Sequence, residues 1–343
     1  MRTVILFFLL LYCIQTNAQD FKALFKSENL ESGCYRIPAI VSAVNGDILV
    51  ATDERVGSCA DLRTHRNINI VMRRSHDNGS TWLPIERVVE FPEGLSASDP
   101  SFIVDGESGD IFLFYNYMDL DVEPNIYYFH MIKSSDNGET WSGAIDITSQ
   151  IAPSEWHEDF KFITSGRGIQ TRNGELLHTL VHLDKGVFVF GSADHGESWN
   201  LKSEALYPGD ESKIIQLVNG HWMVNSRVNK AGHRYIHRSE DDGETWITTP
   251  DTTLIDPSCN AALLQHSNGN LYFSNLDDDR DRQNLILRKS NNNGFSWIME
   301  NTIYHGPAAY SSMDVLTNGD LGIVFEKDNY EEITFYKYKI KED

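Results

Sequence analysis

The sequence predicts an all-β fold, a six-bladed β-propeller of four-stranded antiparallel blades, and three observations predict it. An octet of the form Ser-x-Asp-x-Gly-x-Thr/Ser-Trp occurs five times. An Asn-Gly or Ser-Gly pair leading into an apolar strand occurs six times and alternates with the octets. No stretch carries the 3.6-residue apolar period of a long amphipathic helix. Two hairpin turns per unit of roughly 50 residues give four strands per unit, and the six glycine turns count six blades.

Taken in order, residues 1–18 read as a secretory leader. Arg2 supplies a basic start, Val4 to Ile14 an apolar run too short to span a bilayer, and Ala18 a small residue before Gln19. A lipoprotein reading through Cys13 is opposed by bulky Tyr12, where a small residue is expected. Residues 19–343 are then expected to form one exported domain with no membrane span. The glycine turns fall at Asn45-Gly46, Ser108-Gly109, Asn173-Gly174, Asn219-Gly220, Asn268-Gly269 and Asn318-Gly319. The octets occupy residues 75–82, 134–141, 192–199, 239–246 and 290–297, the last with Asn292 in place of aspartate. Strand-like runs such as residues 69–74 and 284–289 precede them. Each octet is a hairpin device: Ser and Asp side chains bond turn amides, Gly takes positive φ, and Trp packs back over the hairpin. The sixth unit has no octet, so a strand near Phe21 to Phe25 is expected to complete it and remove free edges.

Composition narrows the function. The 343 residues carry 29 Lys+Arg against 50 Asp+Glu, a formal charge of −21. That excludes nucleic acid and anionic membrane as partners, which need a basic footprint. On its own the charge suggests a cationic ligand. Beyond the leader only Cys34, Cys59 and Cys259 remain. Two readings stay open: a Cys34–Cys59 pair with Cys259 buried and free, or three buried thiols. No Cys-x-x-Cys or His-x-x-x-His spacing points to a metal, and no cofactor is implied.

Five octets together with Tyr35, Arg36, Ile37 and Pro38 make the mature chain resemble the sialidase (neuraminidase) family, whose octets are called Asp boxes. The resemblance implies an exo-α-sialidase acting on sialylated glycoproteins, glycolipids and oligosaccharides. It also implies three arginines gripping the sugar carboxylate. Arg36 matches the first, Arg227 the second and Arg282 the third, with Arg280 close enough in sequence to compete. Planar guanidinium forks suit that task because they hold a carboxylate at fixed orientation. The resemblance further implies Tyr310 as nucleophile, Glu211 as its base and Asp61 as the acid/base of a retaining reaction. A neutral phenol is chemically sensible beside an anomeric carbon bearing its own carboxylate, which would repel an anionic nucleophile. Arg55 and Asp99 match positions near the 4-hydroxyl and amide, and Glu326 the carboxylate that orients the first arginine.

Tyr115, Tyr117 and Trp156 are candidates for lining an N-acyl pocket, with simple packing between blades the other reading of Trp156, while Trp222 is expected in the core. The same grip suits another 2-keto-3-deoxy sugar acid, either hydrolysed or transferred. A non-catalytic binding propeller would keep the arginines and lose Tyr310, Glu211 or Asp61, and all three are kept. A monomer is expected.

Overall fold

The computed structural model describes residues 20–28, 30 and 33–341, so the predicted leader lies outside the described residues. The all-β expectation is borne out. Helical structure among the described residues amounts to Thr148–Ile151 and the short 3-10 turns Leu62–Thr64 and Ser154–Trp156.

The antiparallel ladders fall into six successive runs. The first is Gly33–Ser42, Ile48–Val56, Ile68–Ser75 and Glu86–Val89. The second is Leu95–Val104, Ile111–Asp119, Tyr128–Ser134 and Ile145–Asp146. In the third, Lys161–Ile163 and Ile169–Gln170 share the partner Leu176–His182, followed by Gly186–Ser192 and Asn200–Leu201. The fourth is Ser212–Gln216, Trp222–Ser226, His233–Ser239 and Ile247–Ile255. The fifth is Ala262–Gln265, Leu271–Leu276, Gln283–Ser290 and the start of the 18-residue strand Ile298–Val315. That strand continues as the inner strand of the sixth run, with Leu321–Lys327, Glu332–Tyr338 and Phe21–Lys26. The N-terminal strand therefore completes the last unit, as expected from the missing octet.

Six clusters of buried apolar side chains lie among the described residues, and each joins two successive runs. Ala51 and Phe102 meet between the first and second, Phe112 and Phe190 between the second and third, and Val189 and Trp222 between the third and fourth. Met223 packs with Phe273, Tyr272 with Phe325, and Phe335 with Ile40 and Val50, which brings the sixth run back to the first. Face-to-face sheet packing on both sides explains why Leu176–His182 and Gly186–Ser192 are buried at every position instead of alternating.

The octet turns stitch these seams. In the first, Ser75 Oγ donates to Asp77 Oδ1 (2.9 Å) and accepts from Gly79 N (2.9 Å), while Asp77 accepts from Thr81 N (2.7 Å) and Thr81 Oγ1 (2.6 Å). Gly79 has φ 79°, and a Cβ there would strike Phe335 at 2.4 Å, so the glycine serves both turn geometry and close approach. Trp82 lies edge-on to Phe335 at 5.1 Å. The expected packing over its own hairpin is thus corrected: this tryptophan reaches the neighbouring run. In the fifth copy the Asn292 amide reverses one bond, donating from Nδ2 to Ser296 Oγ at 2.8 Å.

Candidate active site

Three inner strands lose register at the same end of the molecule, between Arg36 and Ala39, Ser98 and Ser101, and Ala308 and Ser311. Two of these bulges place a left-handed residue before proline: Ile37 (φ 62°) and Asp99 (φ 57°). A β-branched residue there is strained by about 1–3 kcal/mol and persists only if its surroundings hold it. Glu326 does so for Ile37, accepting its N–H at 2.8 Å. Bulges re-aim side chains out of a ladder, and these aim Arg36, Asp99 and Tyr310 at one cavity.

Glu326 is fully buried. It pairs with Arg36 Nε at 2.6 Å and accepts the backbone N–H of Tyr310 at 3.1 Å. One carboxylate thus fixes a guanidinium and the start of the tyrosine together.

Tyr310 donates its hydroxyl to Glu211 Oε2 at 2.8 Å, and Arg227 Nη1 reaches the same hydroxyl at 3.2 Å. Arg227 also pairs with Glu211 directly. The ladder explains the 16-residue offset between them: Ser212 pairs with Ser226, so residue 211 lies opposite residue 227. Burial pushes the Glu211 carboxyl up against the opposing pull of Arg227. Enclosure, then the Glu211 charge, pushes the Tyr310 phenol well above its usual range. The phenol is therefore neutral at rest, with an acceptor already in place for its proton.

Arg55 is buried and forms a second ion pair, Nη2 to Asp53 Oδ2 at 3.3 Å, while Nη1 donates to Ala60 O at 2.9 Å. Burial raises Asp53 to about 7, with Arg55 opposing. Asp53 also accepts Asp99 N at 2.9 Å, and Asp99 is raised well above the carboxylate range by burial and by the Asp53 charge. Asp61 stands at the rim with its side chain 93% exposed, 3.8 Å from Arg55 Nη1. Its loop is tied by the Cys34–Cys59 disulfide and by His65 Nε2 at 2.9 Å from Ser58 O. Of the two cysteine readings, the paired one is found, with Cys259 buried and free.

The cavity encloses about 630 Å³. Arg36, Arg55, Asp61, Asp99, Glu211, Arg227, Arg282 and Tyr310 all line it, and Glu326 lies directly behind Arg36. Arg282 is the inward residue of the competing pair; the Arg280 side chain is 84% exposed and outside it. The acyl-pocket candidates are corrected. Trp156 is buried between the second and third runs against Phe188 (4.6 Å), and neither Tyr115 nor Tyr117 borders the cavity. Phe160, Phe162 and Leu183 form the apolar wall instead. The sequence held one signal for them: the alternation of Phe160 and Phe162 around Lys161 on an inner strand, which sends both rings to one side. Tyr330, also in the lining, had none. Trp222 is core, as expected.

Among the described residues one group has metal-ligand spacing, Asp47, His76 and Glu139; it lies elsewhere and is already bridged by Arg74, 3.2 Å from both carboxylates. The cavity gathers the guanidiniums of Arg36, Arg55, Arg63, Arg227 and Arg282 beside a phenol paired with a carboxylate.

The family model for the BNR repeat-like domain matches residues 64–323. A sialidase of Micromonospora viridifaciens is 30% identical over 328 residues, covering 85% of this chain and 50% of the relative. A sialidase of Bacteroides fragilis is 26% identical, covering 91% of this chain and 63% of the relative. The chain thus spans between half and two thirds of the length of these relatives. Among solved structures, Hadza microbial sialidase Hz136 superposes with a TM-score of 0.80 at 27% identity, covering 90% of this chain and 66% of that one.

Proposed function

The chain belongs to the BNR-repeat sialidase family, and from that premise we propose that it is an exported exo-α-sialidase, releasing terminal sialic acid from glycoconjugates with retention of configuration. Its six runs are read as six blades around an axis, with residues 19–343 as one catalytic unit. The observation that carries the function is the Tyr310 hydroxyl, bonded at 2.8 Å to Glu211 and 3.2 Å from Arg227, inside a cavity lined by Arg36 and Arg282.

In this reading the sugar carboxylate sits among Arg36, Arg227 and Arg282. Tyr310 attacks the anomeric carbon as Glu211 takes its proton, and Asp61 protonates the departing glycosidic oxygen. The covalent glycosyl-tyrosine is then opened by water, which Asp61, now ionised, deprotonates as the tyrosine recovers its proton from Glu211. The exposed position of Asp61 at the rim suits a group that must meet both a leaving alcohol and incoming water. Arg55 and Asp99, in the lining of the same cavity, meet the sugar near its 4-hydroxyl and amide. The apolar wall of Phe160, Phe162 and Leu183 favours a substrate with an acyl methyl over one lacking the amide.

The test is turnover of a panel of sialosides with proton magnetic resonance of the first-formed sugar. Release of the α-anomer is expected. No turnover on any linkage sinks the proposal, and a β-anomer as the first product sinks the retaining mechanism.

A further inference from the structure

Tyr330 sits in a turn where Asp328, Asn329 and Tyr330 are all left-handed, with φ of 52°, 55° and 73°. Three consecutive non-glycine residues seldom adopt that conformation, least of all with an aromatic third member. The turn is held from both sides. Asp328 N donates to Pro307 O at 2.9 Å, and its carboxylate is bonded by the Tyr304 hydroxyl and the Lys327 ammonium. Ser27, just beyond the N-terminal strand, donates Oγ to Tyr330 O at 3.1 Å and N to Glu331 O at 2.8 Å.

The result is a ring wedged between two like charges. The Arg36 guanidinium lies 3.8 Å from the Tyr330 ring centroid, and Arg282 Nη1 donates to the Tyr330 hydroxyl at 3.3 Å. Arg36 has Glu326 to orient it. Arg282 makes no ion pair among the described residues; its other hydrogen bond is to the Ser258 carbonyl at 3.2 Å. Tyr330 thus offers its negative face to one cation and an oxygen lone pair to the other.

We infer that Tyr330 is a positioning residue, holding Arg36 and Arg282 apart and aimed so that the cavity is preorganised for a carboxylate. The inference rests on the proposed sialidase reading and adds to it the element that spaces two of its cations. A carboxylate that is bound alike before and during bond cleavage contributes to KM more than to kcat, and that is where the effect of Tyr330 is expected.

The experiment compares the full chain with Tyr330→Phe and Tyr330→Leu on a fluorogenic sialoside. It also measures inhibition by 2,3-didehydro-2-deoxy sialic acid and by the corresponding carboxamide. Tyr330→Phe is expected to raise KM about tenfold, the effect of losing one hydrogen bond to a charged group, with kcat within about twofold. Tyr330→Leu, losing the ring face as well, is expected to raise it further. The preference for the acid over the amide should shrink by a similar factor. Unchanged KM in Tyr330→Phe, or equal weakening of acid and amide, overturns the inference while leaving the sialidase reading intact. No turnover by the unsubstituted chain overturns both. If Tyr330→Leu does not fold, Tyr330→Phe decides alone.

Discussion

The octet turns and the axial site are both built from aspartates among hydrogen-bond donors, yet their carboxyls are driven in opposite directions. In the turns, Asp77, Asp136 and Asp194 are lowered to about 2, chiefly by bonds from the hydroxyl and amide of the residue four positions on. At the axis, burial raises Asp53 to about 7 and lifts Asp99 and Glu211 against the pull of nearby arginines. The turn carboxylates are solvated and satisfied; the axial ones are dry and crowded by each other. The same carboxyl group is therefore held ionised in the turns and pushed towards its neutral form in the cavity. The difference comes from water access, not from the number of polar neighbours.

The comparison is sharpened most by the groups proposed to act in the cavity. Tyr310→Phe and Asp61→Ala are each expected to lower turnover of a fluorogenic sialoside by about a thousandfold or more while leaving the melting temperature nearly unchanged. A large fall in melting temperature would instead make them fasteners like the turn residues. Glu326→Gln should move both properties. It leaves Arg36 buried beside a neutral partner, so a loss of about 3 kcal/mol in stability is expected from denaturant unfolding, with a rise in KM. Stability untouched by that change would deny that Glu326 braces the site.

Acid should strain the dry interior and spare the turns. His237 is buried between Thr248 and Ser226, and burial lowers it to about 4. As pH falls through about 6.5 the unfolded chain takes a proton on this ring and the folded chain does not, so stability is lost on acidification towards pH 4. His237→Gln should flatten that loss in a pH series of unfolding curves. Activity should fall in acid as well: Glu211 must be ionised to accept the tyrosine proton, and its raised pKa places the acid limb of kcat/KM above the ordinary glutamate value of 4.5. A limb at or below that value would contradict its role as base. The smallest effects belong to the turns. Ser75→Ala should cost about 1 kcal/mol by unfolding, since it removes the hydroxyl that binds Gly79 N. Asn292→Asp, which restores the acceptor found in the other four octets, should stabilise by about a few tenths of a kcal/mol.

What could be read from the sequence follows the same division. The turns were legible because their chemistry is local: Ser75, Asp77 and Gly79 satisfy one another within five residues. Arg36, Tyr310 and Glu326 were legible through a family pattern, and the offset from Glu211 to Arg227 is simply hairpin register. Of the two readings of Trp156, packing between runs holds, because its irregular polar stretch becomes a buried wedge once two runs close over it. Tyr330 was missed for a related reason, and so was the place of the Phe160 wall: alternation shows that two rings share a side, but which cavity they face depends on packing across separate runs. The acidic balance misled too, since net charge describes the whole surface, while five arginines line this one cavity.

The pairing of Phe21 with Tyr336 has a consequence in time. Of the described strands, the first in the sequence pairs with the last, so it stays an unzipped edge while five runs assemble between them. Such a distant closure is slow to form, because the loop it closes is nearly the whole chain. Ser27, at the end of that strand, also holds the Tyr330 turn. The pair Arg36 and Arg282 that Tyr330 touches is therefore set only when the strands Phe21–Lys26 and Glu332–Tyr338 meet, late in the folding of the described residues.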